Sequence, residues 1–128
     1  MNSKYKIKTV IIGLGNIGMN YDLNNHENIL SHSKSVLKSK YFEIVGAVDT
    51  DKKKRNKFKE LYKKKVFSNI KELKKKKKKI DLVIISTNTP SHFEVVKKIA
   101  TQKFKFCILE KPGGIDFEQF KKIIKILN

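Results

Sequence analysis

The feature of this sequence that most constrains its fold is a regular alternation of short apolar runs with amphipathic helical patterns. Apolar runs rich in β-branched residues predict strands at residues 7–12, 42–48, 66–67, 81–85 and 104–109. Helical patterns follow these runs at residues 31–40, 51–63, 69–78, 91–102 and 116–127. Because strands that alternate with helices form parallel sheets with right-handed crossovers, the sequence predicts an α/β fold. We expect a doubly wound parallel sheet of the Rossmann type, with strand order 3-2-1-4-5.

A glycine pattern lies directly after the first predicted strand. Residues 13–18 read Gly-Leu-Gly-Asn-Ile-Gly, which is a G-x-G-x-x-G sequence. In this setting the first glycine allows a tight turn, the second lets a pyrophosphate approach the backbone, and the third lets a helix pack against the strand. Backbone N–H groups at the start of a following helix would bind the phosphates. We therefore predict that a dinucleotide cofactor contacts Gly13, Gly15, Asn16, Ile17 and Gly18.

An acidic residue, Asp49, follows the second predicted strand. A carboxylate at this position accepts hydrogen bonds from the ribose hydroxyls of the adenosine and repels a 2′-phosphate, so it favours NAD over NADP. Asp49 lies 31 residues after Gly18, against a usual spacing of about 20, and an inserted loop at residues 21–31 explains the excess. Two alternatives stay open: Asp49 caps the next helix, or basic residues 52–55 accept a 2′-phosphate so that NADP also binds.

The net charge of +18 is concentrated in one segment. Residues 52–79 contain 16 of the 30 basic residues, and Arg55 is the sole arginine of the chain. Guanidinium groups favour base edges and bidentate phosphate contacts more than ammonium groups do. The aromatic residues of this segment, Phe58, Tyr62 and Phe67, have the spacing of core side chains rather than of a base-stacking surface. We therefore expect a solvated lysine-rich face with only non-specific nucleic-acid contacts.

The single cysteine, Cys107, excludes an intramolecular disulfide and a multi-cysteine metal site. Its place in a predicted strand indicates a small core residue rather than a nucleophile. No apolar run approaches the roughly 18 residues of a membrane span, and the apolar stretch near the N-terminus is too short for a signal peptide. We expect a soluble cytoplasmic protein without a metal site or a membrane partner.

Several motifs together resemble a known family. The matching segments are residues 10–18, 45–49, 81–87, 89–92 and 110–112, which extend over nearly the whole chain. The most specific combination is Thr-Pro-Ser-His at residues 89–92 followed, after the next strand, by Glu-Lys-Pro at residues 110–112. In these features the chain resembles the N-terminal nucleotide-binding domain of the Gfo/Idh/MocA oxidoreductases, the glucose–fructose oxidoreductase and inositol dehydrogenase type.

The resemblance implies further residues at a cofactor site. Thr87, Asn88 and Pro90 correspond to the loop after the fourth strand, which lines the cofactor in the family. Glu110 and Lys111 correspond to the segment after the fifth strand and are expected to contact the cofactor as well. These positions agree with the rule that ligands of open α/β sheets bind beyond the carboxyl ends of the strands.

The resemblance also implies catalytic candidates. Lys111 corresponds to the family lysine that lies near the nicotinamide and helps to bind or polarise the substrate hydroxyl, and its bond to Pro112 is expected to be cis. His92 corresponds to the histidine that begins the following helix, although it could instead simply pack or cap there. His26 and His32 have no counterpart in the family pattern and are expected to be non-catalytic.

The implied reaction is hydride transfer between a sugar- or polyol-type secondary alcohol and the nicotinamide of NAD(P). Family members continue into a second α/β domain that forms the substrate pocket, whereas 128 residues suffice for one domain only. We therefore expect residues 1–128 to be a truncated dinucleotide-binding domain, without the sixth strand, that binds cofactor but does not turn over substrate alone. The absence of the sixth strand and of the second domain is expected to expose an apolar surface, through which the chain could form a homo-oligomer. The alternatives are a non-catalytic dinucleotide-binding module and a lysine-rich polyanion-binding protein.

Overall fold

A computed structural model of the chain describes residues 5–25 and 27–128. The described residues form a parallel sheet whose strands are β1 (Ile7–Ile12), β2 (Phe42–Val48), β3 (Val66–Phe67), β4 (Leu82–Ile85) and β5 (Phe106–Leu109). Their order across the sheet is β3-β2-β1-β4-β5, and every neighbouring pair is parallel. The predicted fold class and strand order are therefore confirmed.

Helices connect the strands as the sequence predicts. They are α1 (His32–Lys38), α2 (Lys52–Tyr62), α3 (Ile70–Lys75), α4 (His92–Ile99) and α5 (Phe117–Leu127). Most end earlier than the periodicity suggests. Helix α3, for example, stops at Lys75, and Lys77 adopts a left-handed φ of 48°. This stop lies within the run of adjacent lysines, where mutual repulsion opposes a continued helix.

The core lies on both faces of the sheet. Val10 and Ile12 of β1 pack on one face with side chains of α3, α4 and α5, whereas Ile11 packs on the other face with side chains of α1 and α2. This alternation follows from the two-residue period of a strand. Because helices cover both faces, the sheet is held in place. The loops that follow the strands at the carboxyl edge are thereby positioned as well.

The aromatic residues of the lysine-rich segment belong to this core. Phe58 is fully buried and Phe67 is nearly so, while Tyr62 packs against Phe58 with a centroid separation of 4.8 Å. Their predicted role as core residues is confirmed. Most lysine side chains of this segment are exposed, whereas these aromatic rings are packed in the core and do not present a face on which bases could stack.

Strand β5 lies at the edge of the sheet and carries exposed apolar side chains. Phe106 and Ile108 are 62% and 44% exposed, and Ile115 and Phe117, between β5 and the start of α5, are exposed as well. Exposed apolar groups of this size are typical of surfaces that contact further protein.

Cys107 has the environment of a core residue. It is partly buried in β5 and packs against the core on one face of the sheet. Burial raises the pKa of its thiol to about 11, so the thiol is protonated at neutral pH. Since the thiolate is the nucleophilic form, this agrees with the interpretation of Cys107 as a packing residue.

Within residues 5–25 and 27–128, no helix has the length and hydropathy that a membrane span requires. The same described residues contain no group of three or more histidine, cysteine or acidic side chains placed to hold a metal ion. His26, expected to be non-catalytic, lies outside the described residues.

An acidic residue anchors the amino ends of β1 and β4. The side chain of Asp81 is 3% exposed. Its carboxylate accepts hydrogen bonds from the backbone N–H of Lys8 at 3.0 Å and from the Tyr5 hydroxyl at 2.7 and 2.8 Å. These two interactions, the Lys8 bond first, hold the pKa of Asp81 below the ordinary value of 3.8.

We expect this carboxylate to make folding stability depend on acid. Because its pKa is lower in the folded chain, its contribution is complete above pH 3.8 and is lost as the pH falls through the folded-state value. The free energy of unfolding should therefore fall less on acidification from neutral pH to below pH 3.8 in Asp81→Asn than in the unsubstituted chain. Urea denaturation at the two pH values measures this difference. Glu118→Gln, which removes an exposed carboxylate paired with Lys121, is the control. Equal acid dependence of the two variants would contradict this prediction.

Candidate functional site

The turn after β1 depends on two glycines for its own packing. Gly13 has a φ of 98°, and a Cβ there would lie 2.6 Å from backbone atoms of Ser86 and Thr87. A Cβ on Gly18 would lie only 2.1 Å from the carbonyl oxygen of Gly13. Both distances are shorter than any real contact, so these positions require glycine whether or not a ligand binds.

Gly15 lies in the same turn but is not constrained by the protein. A Cβ built on Gly15 meets no atom within 4 Å. The residue lines a large cavity instead. The lack of a side chain therefore leaves open space above the backbone, which is what the sequence pattern predicts for a position that a pyrophosphate approaches.

A regular α-helix does not follow the glycine pattern, and the prediction of a helix starting there is wrong. The chain forms a single helical turn here instead. The backbone N–H of Met19 donates to the carbonyl of Gly15 at 2.9 Å, and that of Tyr21 donates to the carbonyl of Asn16 at 3.0 Å. The helical turn leads into a short 3₁₀ turn, Asn20–Asp22. The chain then follows the predicted loop, and α1 begins only at His32.

The loop ends are held by a buried carboxylate. Asp22 is 6% exposed, and its Oδ2 accepts hydrogen bonds from the backbone N–H groups of Leu30 and Ser31 at 2.6 and 2.8 Å. Both donors precede the first turn of α1. These bonds join the start of the inserted loop to its end, and α1 therefore begins beside the glycine turn.

Ser86 joins the glycine turn to the end of β4. Its backbone N–H donates to the carbonyl of Ile12 at 2.8 Å, and its hydroxyl donates to the carbonyl of Gly13 at 2.8 Å. Ser86 is itself buried. The loops after β1 and β4 are therefore fixed to each other at the carboxyl edge of the sheet.

Asp49 is held at the same edge by two backbone donors. Its Oδ2 accepts a hydrogen bond from the N–H of Leu14 at 2.8 Å, and its Oδ1 accepts one from the N–H of Asp51 at 2.8 Å. Each carboxylate oxygen can accept a further bond. The carboxylate is thus oriented by the glycine turn and still has acceptor capacity on its partly exposed side.

The loop after β2 decides one of the two alternatives for Asp49, its role as a helix cap. The N-cap of α2 is Asp51, whose side chain accepts from the N–H of Lys53 at 2.7 Å. The interpretation of Asp49 as the helix cap is therefore wrong. The Arg55 guanidinium donates to the carbonyls of Asp49 and Thr50, at 2.8 Å each. Both bonds come from Nη1 of the guanidinium, and they fix the loop that carries Asp49.

A cavity of about 970 Å³ lies beyond the carboxyl ends of β1, β2 and β4. Seven of the predicted cofactor residues line it, namely Gly13, Gly15, Asn16, Ile17, Asp49, Thr87 and Asn88. Its volume is at the upper end of the range for small-molecule sites. The structure therefore brings the residues from three separate loops to one cavity.

The cavity has lining residues that the sequence analysis did not identify. Ser68, Asn69 and Lys71 follow β3, while Tyr21 and Lys54 come from the loop after the glycine turn and from α2. Strand β3 also ends at the carboxyl edge, so the rule used for β1, β2 and β4 applies to it equally. A two-residue strand is a weak sequence signal, which is why Ser68 and Asn69 were missed.

Thr87 contributes an unpaired polar group. Its hydroxyl oxygen is buried and has no hydrogen-bond partner among the described residues. A buried hydroxyl without a partner is destabilising by about 1–3 kcal/mol. A polar ligand in the cavity would remove that penalty, so Thr87 and the open space above Gly15 fit a dinucleotide.

The remaining predicted residues do not line this cavity: Gly18, Pro90, His92, Glu110 and Lys111. Gly18 is buried beneath the turn and Pro90 is exposed. The Lys111–Pro112 peptide is cis, as expected, and Lys111 is exposed immediately after β5. Glu110 pairs with His32 at the same edge, at 2.6 Å.

His92 is enclosed by the protein. The residue is fully buried, with Nε2 3.0 Å from the carbonyl oxygen of Thr87 and Nδ1 3.3 Å from that of Gly113. The ring therefore connects the loop after β4 with the loop after β5. This arrangement matches the alternative in which His92 packs at the start of its helix.

Comparison with known families gives one extensive match. The family model described as "Oxidoreductase family, NAD-binding Rossmann fold", GFO_IDH_MocA, matches residues 7–128. The predicted family and the predicted class of cofactor are confirmed at this level. Among curated proteins, none matches the chain significantly.

Solved structures with the same fold include several dehydrogenases. A dehydrogenase (MviM) from Clostridium difficile is 27% identical, with a TM-score of 0.73 over 95% of this chain and 36% of that chain. Myo-inositol 2-dehydrogenase from Lactobacillus plantarum is 22% identical, with a TM-score of 0.73 over 96% of this chain and 33% of that one.

The WlbA dehydrogenase from Bordetella pertussis, solved with NADH and UDP-GlcNAcA, is 18% identical, with a TM-score of 0.78 over 96% of this chain and 34% of that chain. The present chain thus spans about a third of the length of these proteins.

Proposed function

The chain belongs to the oxidoreductase family with an NAD-binding Rossmann fold, and on that premise we propose that the cavity at the carboxyl edge binds NAD(H). The observation that carries the proposal is the contrast within the glycine turn. Gly13 and Gly18 are required by the chain's own packing, whereas Gly15 borders open space. A glycine that the protein does not need is explained by a ligand that approaches the backbone there.

The pyrophosphate is assigned to the space above Gly15. Asn16 and Ile17 lie in the same turn and line the cavity, so their backbone N–H groups are the proposed phosphate donors. The ribose of the adenosine is assigned to Asp49. Its two oxygens already accept one backbone bond each, and their remaining lone pairs would accept the ribose hydroxyls.

We assign the nicotinamide end to the loops after β4 and β5. Thr87 offers its unpaired hydroxyl, and Asn88 lines the same cavity. Pro90 shapes the turn between them and α4, while Glu110 holds the segment after β5. When bound, the cofactor supplies the hydride chemistry, and the protein supplies orientation and electrostatics.

For the complete protein we propose hydride transfer between NAD(H) and a sugar- or polyol-type secondary alcohol. Lys111 is the proposed catalytic residue, since its exposed ammonium group can bind and polarise a substrate hydroxyl. His92 is assigned a positioning role, because its buried ring faces carbonyls of Thr87 and Gly113 rather than the cavity. We further propose that residues 1–128 form the dinucleotide-binding domain of such an enzyme.

Three secondary proposals concern the surroundings of the protein. The lysine-rich residues 52–79 make only non-specific contacts with nucleic acid, because Phe58 and Phe67 are buried. The single cysteine suits a reducing compartment such as the cytoplasm. The exposed apolar residues of β5, Phe106 and Ile108, suit a contact with another copy or another domain.

Titration with NADH, followed by its fluorescence, tests the central proposal. We expect saturable binding to the 128-residue chain, weaker binding of NADPH, and competition between NAD and NADH. The acidic Asp49 at the ribose position is the physical reason for the preference. A chain that folds, as judged by circular dichroism, but binds neither nucleotide at millimolar concentration would refute the assignment.

A further inference from the structure

One contact at the carboxyl edge joins two residues that are 78 positions apart. His32 is the first residue of α1, and Glu110 directly follows β5. The Nε2 atom of His32 lies 2.6 Å from Oε1 of Glu110. Their side chains are 21% and 23% exposed, so water screens the contact only in part.

The His32 end of this contact is fixed to the glycine turn. The backbone N–H of His32 donates to the carbonyl of Ile17 at 2.9 Å, and that of Ser33 donates to the carbonyl of Gly18 at 3.0 Å. The Ser33 hydroxyl also donates to the Gly18 carbonyl, at 2.5 Å. A displacement of the turn would therefore move the imidazole with it.

The Glu110 end is fixed to the segment that carries the proposed catalytic lysine. The second carboxylate oxygen, Oε2, accepts the backbone N–H of Lys111 at 3.3 Å. The backbone N–H of Glu110 donates to the carbonyl of Ile85 at the end of β4, at 3.0 Å. The carboxylate thus lies between the His32 ring and the Lys111 backbone.

We propose that His32 is a positioning residue that couples the glycine turn to Lys111 through Glu110. The inference rests on the proposed function, because it concerns the same site. The Nε2–H donates to the carboxylate, and a bond of this charge-assisted kind is short and directional. It holds the segment after β5, and so the Lys111 backbone, at a fixed distance from the turn assigned to the pyrophosphate.

A matched pair of variants isolates this contact. Glutamine at position 32 places its side-chain amide nitrogen about where Nε2 lies and can still donate to Glu110. Asparagine places its amide nitrogen about where Nδ1 lies and is too short to reach. Both replacements are polar and uncharged, and both keep the backbone bond to Ile17.

Binding of NADH supplies the first measurement. We expect His32→Gln to bind NADH within about twofold of the unsubstituted chain, and His32→Asn to bind at least about tenfold more weakly, the lower end of the loss typical of one hydrogen bond to a charged group. In a Glu110→Gln background the difference between the two variants should shrink to less than about twofold, because the partner charge is gone.

A second measurement needs no cofactor. The backbone amide of Lys111, observed by two-dimensional NMR of the free protein, should shift clearly more in His32→Asn than in His32→Gln, because both variants lose the ring current of the imidazole and only His32→Asn loses the bond to Glu110. A purely structural role in α1 would instead lower the denaturation midpoint of His32→Asn without a selective shift at Lys111. Amides of α2, which contains neither residue of the contact, serve as the reference.

The outcomes separate the two proposals. If the unsubstituted chain fails to bind NADH, the proposed function is wrong, while the Lys111 shift still decides whether the coupling exists. If NADH binds but the two His32 variants match in affinity and in the Lys111 shift, the coupling is refuted. Weaker binding of His32→Asn without any change at Lys111 would also refute it, since the effect would not pass through Glu110.

Discussion

Gly15→Val is expected to lower NADH affinity about a hundredfold or more while leaving the fold and its stability almost unchanged. A Cβ at this position meets no protein atom within 4 Å, so the valine side chain has room in the free protein. That room is the space assigned to the pyrophosphate. The two methyl groups would then compete directly with the ligand.

Gly18→Ala is the matched contrast, because it changes a glycine of the same turn. Its Cβ would lie 2.1 Å from the Gly13 carbonyl oxygen, so the turn must distort and stability should decrease by about 3 kcal/mol. Urea denaturation and NADH titration of both variants separate the two effects. Gly15→Val with unchanged affinity and a native circular dichroism spectrum would place the phosphates elsewhere.

The alternation of apolar runs and helical patterns was sufficient to predict the fold. Each run occupies a strand of the observed sheet, and the observed strand order is the one expected for a doubly wound sheet of the Rossmann type. Boundaries were less accurate, since β5 begins at Phe106 rather than at residue 104. Phe104 lies beside the core, and apolarity alone does not distinguish a packed loop residue from a strand residue.

The candidate site could be predicted only where a motif and a strand end coincide. The glycine turn, Asp49 and Thr87 satisfy both conditions and meet at one cavity. The contact between His32 and Glu110 could not be predicted, because His32 belongs to no motif and follows no strand, and nothing in a local pattern shows which side chains of distant loops approach each other. His32 was therefore expected to be non-catalytic and received no role at all.

The family resemblance located His92 correctly at the head of α4 but did not describe its surroundings. Burial and the direction of the ring depend on the loops after β4 and β5, which pack over it. A sequence motif records the type and spacing of residues. It does not record whether a side chain faces a ligand or the protein.

Replacing Asp49 should change the preference between the two nicotinamide cofactors. Asp49→Ser removes the carboxylate assigned to the ribose hydroxyls and opens space for a 2′-phosphate. We expect NADH affinity to decrease and NADPH affinity to increase, each by about tenfold, because a like-charge contact is relieved in one complex and acceptor bonds are lost in the other. The measurement is the ratio of the two dissociation constants, which should shift by about two orders of magnitude.

Asp51→Ser is the control for charge. It removes an equal charge two residues away, at a residue that caps α2 and is not among those that line the cavity. Serine is also a good N-cap, so the helix should remain stable. If Asp51→Ser altered the cofactor ratio as strongly as Asp49→Ser, the preference would arise from the net charge of the region rather than from a contact with the ribose.

A further substitution tests where a 2′-phosphate would bind. Lys54 lines the cavity, whereas the Arg55 guanidinium donates to the carbonyls of Asp49 and Thr50. In the Asp49→Ser background, Lys54→Ala should therefore cancel most of the gain in NADPH affinity, because it removes a cation that lines the cavity. Arg55→Lys should weaken both cofactors to a similar degree, since it loosens the loop that presents position 49. A loss of NADPH binding that is specific to Arg55→Lys would instead identify the guanidinium as the phosphate ligand.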